Sequence, residues 1–232
     1  MSTFVEWMTL LLKWLYNLTD LVGVASYGLA IILLTIIIKT VIFPLTWKQM
    51  KSMRKTVEIQ PKLQELQKKY KGKPEKLNQE TMALYKENNV NPAGGCLPLV
   101  VQLPIFWALY RTLFSFSNYI SDPNQAMFLG FDITATGNIV FALLAGATTF
   151  LQTKLTTMTS PAMKADKGGK PDATQSTQKM MLYFMPFFMA YISWTVPAGL
   201  ALYFLTMNIV SILQQLYINR RLDKEKLDAA AS

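Results

Sequence analysis

The sequence predicts an all-α membrane protein, a five-transmembrane-helix bundle with a cytoplasmic helical hairpin and an N-terminal interfacial amphipathic helix. Three observations carry that expectation. Of 232 residues, 51% are hydrophobic, and the mean hydropathy is +0.22, the balance of a chain that places much of its surface in lipid. Five long apolar stretches contain no Asp or Glu. The net charge of +9 is segregated into alternate connections, which is the pattern of a membrane orientation signal and not of a nucleic-acid surface.

Residues 1–24 come first. Phe4, Trp7, Met8, Leu11, Leu15, Leu18 and Val22 recur at helical spacing, with Glu6, Thr9, Lys13, Asn17 and Asp20 largely opposite. An apolar stripe with Trp and a polar back reads as a helix lying in the membrane interface. The alternative is a helix packed on the protein's own spans. The stretch has neither the basic start nor the cleavage site of a signal peptide, so it is expected to be retained.

Residues 25–46 form the first span, 22 residues that reach about 33 Å as a helix, enough for a hydrocarbon core. Residues 47–92 carry eleven Lys/Arg against five Glu and read as a cytoplasmic hairpin. Its first helix runs through Leu63, Leu66 and Tyr70 and stops at Gly72; Pro74 opens the second, with Glu75 behind it. The apolar stripe of each helix is thin, so the hairpin is expected to be mobile. Within residues 93–218 lie spans two to five, at 97–117, 133–155, 180–196 and 199–218, the last two joined by the tight VPAG turn. The 157–178 connection, rich in Gly, Lys and Asp, reads as a flexible cytoplasmic loop, and residues 219–232 as a short basic tail. Basic residues in the hairpin, that loop and the tail alternate with Lys/Arg-free connections. The N-terminus is therefore expected outside and the C-terminus in the cytoplasm.

The residue inventory excludes several chemistries. Cys96 is the only cysteine and there is no histidine, so intrachain disulfides, thiolate clusters and His-dependent sites are ruled out. No cofactor is expected. Catalysis within the membrane needs carboxylates or a Ser with a base, and acid-relay transport needs carboxylates too; the five spans have none. The outlier is Lys39, inside the apolar run LLTIIIKTVIFPL. It lies about 9 Å from the cytoplasmic end of its span, shallow enough to snorkel. The other reading faces it inward. With no acid in the spans to pair with, an inward Lys39 needs water, hence a hydrated recess open to the cytoplasm that offers positive charge to a visiting anion. Thr35, one turn before it, Gln152 near the cytoplasmic end of span three and Tyr203 in span five are candidates for the same recess, each with simple interhelical hydrogen bonding as its alternative. Arg111 reads as an interfacial snorkel.

At NPAGGCLPLVVQLPIFWALY, residues 91–110, the chain closely resembles the YidC family of membrane-protein insertases. Further matches are YGLAIILLTIIIKTVIFPLTWKQMKSM, FLQTK, QKMMLYFMPFFMAY, VPAGLALYF and NIVSILQQLYINR. The resemblance implies a bacterial cytoplasmic (inner) membrane protein, not an enzyme, that receives nascent membrane proteins and helps their spans enter the lipid bilayer without nucleotide hydrolysis. It implies that Lys39 takes the position of the family's groove cation, usually Arg. It also implies that Thr35, Gln152, Tyr203 and Phe204 fall where groove and substrate-contacting residues lie, with Phe150 beside them. The large extracytoplasmic domain of Gram-negative members is not among the matched segments, so a compact bacterial form is expected. Partners implied are the Sec translocon and the ribosome, the latter weakly because the tail is short; no specific nucleic acid is implied. Outside the resemblance, a small anion transporter or channel, or a non-catalytic Sec subunit, fits the residues as well.

Overall fold

The computed structural model describes residues 2–21, 23–90, 97–114, 123–158 and 173–231. Val22, Cys96 with the rest of NPAGGC, and residues 159–172 of the expected flexible loop lie outside them. The chain is helical nearly throughout. The helices are α1 (Ser2–Leu21), α2 (Tyr27–Glu58), α3 (Gln60–Lys69), α4 (Pro74–Glu87), α5 (Leu97–Phe114), α6 (Ile139–Met158), α7 (Ala173–Thr195) and α8 (Ala198–Ala231). Among the described residues, three helices are long and apolar enough to cross a membrane, over Tyr27–Thr56, Ile139–Thr157 and Ala198–Glu225.

The bundle core gathers one stripe from each of four helices: Leu12 and Leu15 of α1, Ile31 and Leu34 of α2, Leu109 of α5, and Leu200 and Tyr203 of α8. Small residues Ala30, Ala108 and Ala201 are fully buried, and such residues let helix backbones approach closely where lipid supplies no hydrophobic drive. The outer faces are apolar as well. Leu143, Phe184, Phe187 and Trp194 of α6 and α7 are exposed, a surface that suits lipid and not water.

The apolar stripe of α1 divides. Met8, Leu12 and Leu15 pack on the core, Thr9 shares a 3.2 Å hydrogen bond with Thr112 of α5, and Tyr16 stacks on Tyr27 at 4.0 Å. Trp7, Leu10 and Trp14 face outward. Packing on the protein's own spans and an exposed apolar edge therefore coexist, because Leu12 adds an inward stripe that the outward Trp stripe hides in the sequence.

Four boundaries differ from expectation. Helix α2 does not stop at residue 46 but runs on through Pro44 to Glu58, because nothing in WKQMKSMRKT breaks a helix. The hairpin proper is α3 and α4, closed by Gly72 at φ +82° and by a small cluster of Ile59, Leu63, Leu84 and Val90. Span three begins at Ile139, not 133. Two short strands, β1 (Met127–Phe128) and β2 (Phe131–Asp132), form an antiparallel turn through Leu129 and Gly130, both at positive φ. After β2 the Asp132 carboxylate caps Thr134, and Ile133 and Ala135 carbonyls accept the amides of Gly199 and Ala198 at 2.7 and 2.8 Å. Asn138 then starts α6 by accepting the Phe141 amide. Finally, α7 takes up residues 173–178 of the expected loop, and α8 carries the expected tail as helix.

The β1–β2 turn is seated on α2 at Gly28, where an added Cβ would collide with the Phe128 ring. Gly28→Ala is expected to destabilise the bundle by about 1–3 kcal/mol through overpacking, lowering the thermal midpoint in detergent. Pairing it with Phe128→Ala should recover part of the loss; an unchanged midpoint in Gly28→Ala would show that the turn is not held there.

Candidate functional site

Three polar stripes converge at the end of the bundle nearest the hairpin. On α2, Lys39, Thr46, Gln49, Met50, Met53 and Arg54 follow steps of three, four and seven and so share a face. On α6, Gln152 and Thr156 are one turn apart; on α8, Ser211, Gln214, Gln215 and Asn219 repeat the pattern. Together they enclose a cavity of about 160 Å³. It has room for several waters, and its walls offer them partners.

The walls are tied by amides. Gln152 Nε2 donates to Gln215 Oε1 at 3.1 Å, and the Thr156 hydroxyl, 3.3 Å from the same oxygen, completes a triangle between α6 and α8. Gln214 Nε2 donates to the Lys39 carbonyl at 3.0 Å, fastening α8 to α2. Asn208 Nδ2 reaches Thr149 Oγ1 at 2.8 Å and Thr148 Oγ1 at 3.2 Å deeper in the α6–α8 seam. Three buried polar atoms of the lining, Gln49 Nε2, Gln152 Oε1 and Gln214 Oε1, have no protein partner among the described residues. A buried amide group with no partner costs roughly 1–3 kcal/mol, so this lining is built to be met by water or by a visiting polar group.

Lys39 is half-buried and lines this cavity. Two ion pairs, Arg54–Asp223 and Lys51–Glu225, join α2 to α8, and neither includes Lys39.

The structure brings only two of the sequence-derived candidates together, Lys39 and Gln152. Thr35 is buried with its hydroxyl turned back on the Ile31 carbonyl at 2.7 Å, a purely intrahelical bond. Tyr203 is 2% exposed, its hydroxyl receiving a hydrogen bond from Gln102 Nε2 of α5. Phe204 stacks on Phe106 at 5.6 Å. Phe150 lies on the outer surface in an apolar groove between α6 and α7, with Tyr183 and Phe187. Arg111 sits over the Trp107 ring at 5.7 Å. The sequence reading missed Gln49, Thr156, Ser211, Gln214, Gln215 and Asn219. Their signal was present as polar residues at i, i+3 and i+4 through the middle of α8, one turn after Gln152 on α6, and beyond the presumed end of span one.

The family model of the 60Kd inner membrane protein matches residues 17–225. The chain belongs to this family. All twelve cavity-lining residues lie inside the match. Among family relatives, the membrane protein insertase YidC of Wolinella succinogenes is 38% identical over 228 residues, covering 98% of this chain and 39% of that protein. That of Oceanobacillus iheyensis is 39% identical over 220 residues, covering 92% of this chain and 82% of that protein. A crystal structure of an active YidC insertase, with its first transmembrane domain resolved, superposes with a TM-score of 0.65 at 29% identity, over 91% of this chain and 45% of that one. The chain thus spans well under half the length of several curated relatives and most of the length of another.

Proposed function

We propose that this chain is a membrane-protein insertase. The single observation that carries the reading is the Lys39 cavity: a lysine with no ion pair among the described residues and three orphaned amide atoms, gathered where α2, α6 and α8 meet. A hydrophilic tail attached to a nascent span must lose its water to cross lipid, and a charged residue at the bilayer centre costs about 2.5–3.5 kcal/mol by insertion scales. A wet, positively charged recess that holds the tail partway shortens the dry path and lowers that barrier without nucleotide hydrolysis. The apolar span then leaves between α6 and α8, parting the Asn208 and Gln215 hydrogen bonds, each worth only about 0.5–1.5 kcal/mol net.

In this reading five helices, α2, α5, α6, α7 and α8, cross the bacterial cytoplasmic membrane. The N-terminus is outside, the C-terminus is in the cytoplasm, and α1 lies along the interface with Trp7 and Trp14 toward lipid. The substrate is a nascent membrane protein, delivered with or without the Sec translocon and ribosome.

Photocrosslinkers placed at residues 152, 211 and 214 are expected to capture the hydrophilic tail of a stalled single-span nascent chain, and one at the sealed position 203 is expected to stay silent. Labelling at 203 but not in the cavity would sink the cavity route. Saturable flux of a small anion through proteoliposomes, with no crosslinks, would turn the reading toward a transporter.

A further inference from the structure

Beyond residue 46, α2 and the distal part of α8 run on together, and two ion pairs join them. Arg54 is at the centre of the contact. Its Nη1 donates to Asp223 Oδ1 at 2.5 Å, and its Nη2 donates to both the carbonyl and the side-chain oxygen of Asn219 at 3.1 Å. Asn219 and Asp223 are one turn apart on α8, so one planar guanidinium spans both, an arrangement that a lysine does not reproduce. Lys51 approaches Glu225 at 3.9 Å, a looser second contact of the same kind. Arg54 also lines the cavity that holds Lys39, four helical turns away on the same helix.

The two partners differ in exposure. The Arg54 side chain is 26% exposed, the Asp223 side chain 67%. The guanidinium is thus held in place by the cavity wall and Asn219, while the carboxylate approaches from solvent and is readily exchanged, since exposed ion pairs contribute little. The Asn219 bonds keep the guanidinium aimed when the acid leaves.

We infer that Arg54, held by Asn219, is a receiving site for the carboxylates of an incoming polypeptide's acidic tail, and that Asp223 is an internal stand-in which occupies the site until such a tail displaces it. The inference rests on the insertase reading above and adds the step before Lys39: an acidic residue exchanges onto Arg54 and moves from there along the cavity toward the deeper cation. A tail carrying amides in place of acids offers no charge to Arg54, so the site discriminates by charge.

The test uses the full chain in proteoliposomes with two single-span substrates that differ only in tail, one with acidic residues and one with their amides. Asp223→Asn vacates the site and is expected to raise insertion of the acidic substrate about two- to fivefold, the range that an exposed ion pair commands, while leaving the amide substrate unchanged. Arg54→Gln is expected to lower the acidic substrate toward the amide one, and Arg54→Lys to recover only part, because charge returns without the fork. Equal effects of both variants on the two substrates would mean a structural clamp and would overturn the inference. Lys39→Ala run alongside separates the two readings: loss at Lys39 with no tail dependence at Arg54 leaves the insertase standing and removes this site. No loss at Lys39 with tail dependence at Arg54 keeps this site and removes the deeper one.

Discussion

Lys39→Ala is expected to slow insertion of a single-span substrate with an acidic tail about tenfold or more, since a tenfold rate change needs only ~1.4 kcal/mol and the charge difference at stake in lipid is larger. The reason is local. Lys39 faces a cavity whose other lining side chains, apart from Arg54 at the mouth, are uncharged, so its replacement removes the deep positive charge and leaves the amide lining intact. Lys39→Arg should keep most of the activity, because the cavity needs a cation there and the Lys39 link to α8 runs through its backbone carbonyl, which the substitution preserves. A neutral-tailed substrate should be affected less than an acidic one. Insertion assayed with purified protein in lipid, at matched protein amounts, decides the matter; an unimpaired Lys39→Ala would remove the charge from the mechanism.

The second large effect concerns the hairpin. Replacing Gln60–Glu87 with a short Gly/Ser linker is expected to reduce nascent-chain recruitment several-fold while the bundle still folds. Ile59, just before the cut, and Val90, three residues after it, belong to one buried cluster, so the gap is short, and a linker of that length costs little closure entropy. Cutting further back, from residue 50, is expected to abolish insertion altogether. Met50, Met53 and Arg54 belong to the cavity wall, so that deletion removes part of the site itself. Crosslinking yield reports recruitment, and the thermal midpoint in detergent reports folding. Full recruitment by the shorter deletion would show that α3 and α4 are dispensable.

The two deletions expose where sequence reasoning was limited. A polar, basic stretch after an apolar one looks like the end of a span, and in hydropathy it is. Helix α2 nevertheless continues for twelve residues beyond position 46, because helix propagation depends on backbone hydrogen bonds and on the absence of breakers, to which a change in side-chain polarity is indifferent. Gly72 and Pro74 do interrupt backbone regularity: α3 ends at Lys69, three residues before the expected stop at Gly72, and α4 opens on Pro74. The start of α6 was misread for the opposite reason: ITATGN looks apolar enough to span. Its carbonyls are taken instead by the amides at the start of α8, a partnership 60 residues away that no local pattern reveals.

The candidate site shows the same division. Lys39 was conspicuous because a cation in an apolar run is costly wherever it faces, and Gln152 was suspect for a weaker version of the same reason. Thr35 and Tyr203 raised the same suspicion and lie elsewhere, since one hydroxyl is satisfied by its own helix and the other by Gln102 across the bundle. Polarity in a span signals a partner; it does not say which.

What the sequence by itself determined is the class of molecule: helices suited to lipid, a basic hairpin, no catalytic carboxylate in a span, and one cation needing an explanation. These follow from side-chain chemistry and local periodicity, which each residue carries with it. Only the tertiary structure decided that Lys39 shares a cavity with Gln152, Gln214 and Gln215, that Arg54 reaches across to Asn219 and Asp223, and that Phe150 and Tyr203 stand apart from it. Those relations depend on how three helices rotate about their axes and cross, and that rotation is set by the summed packing of small and large apolar residues along their whole length.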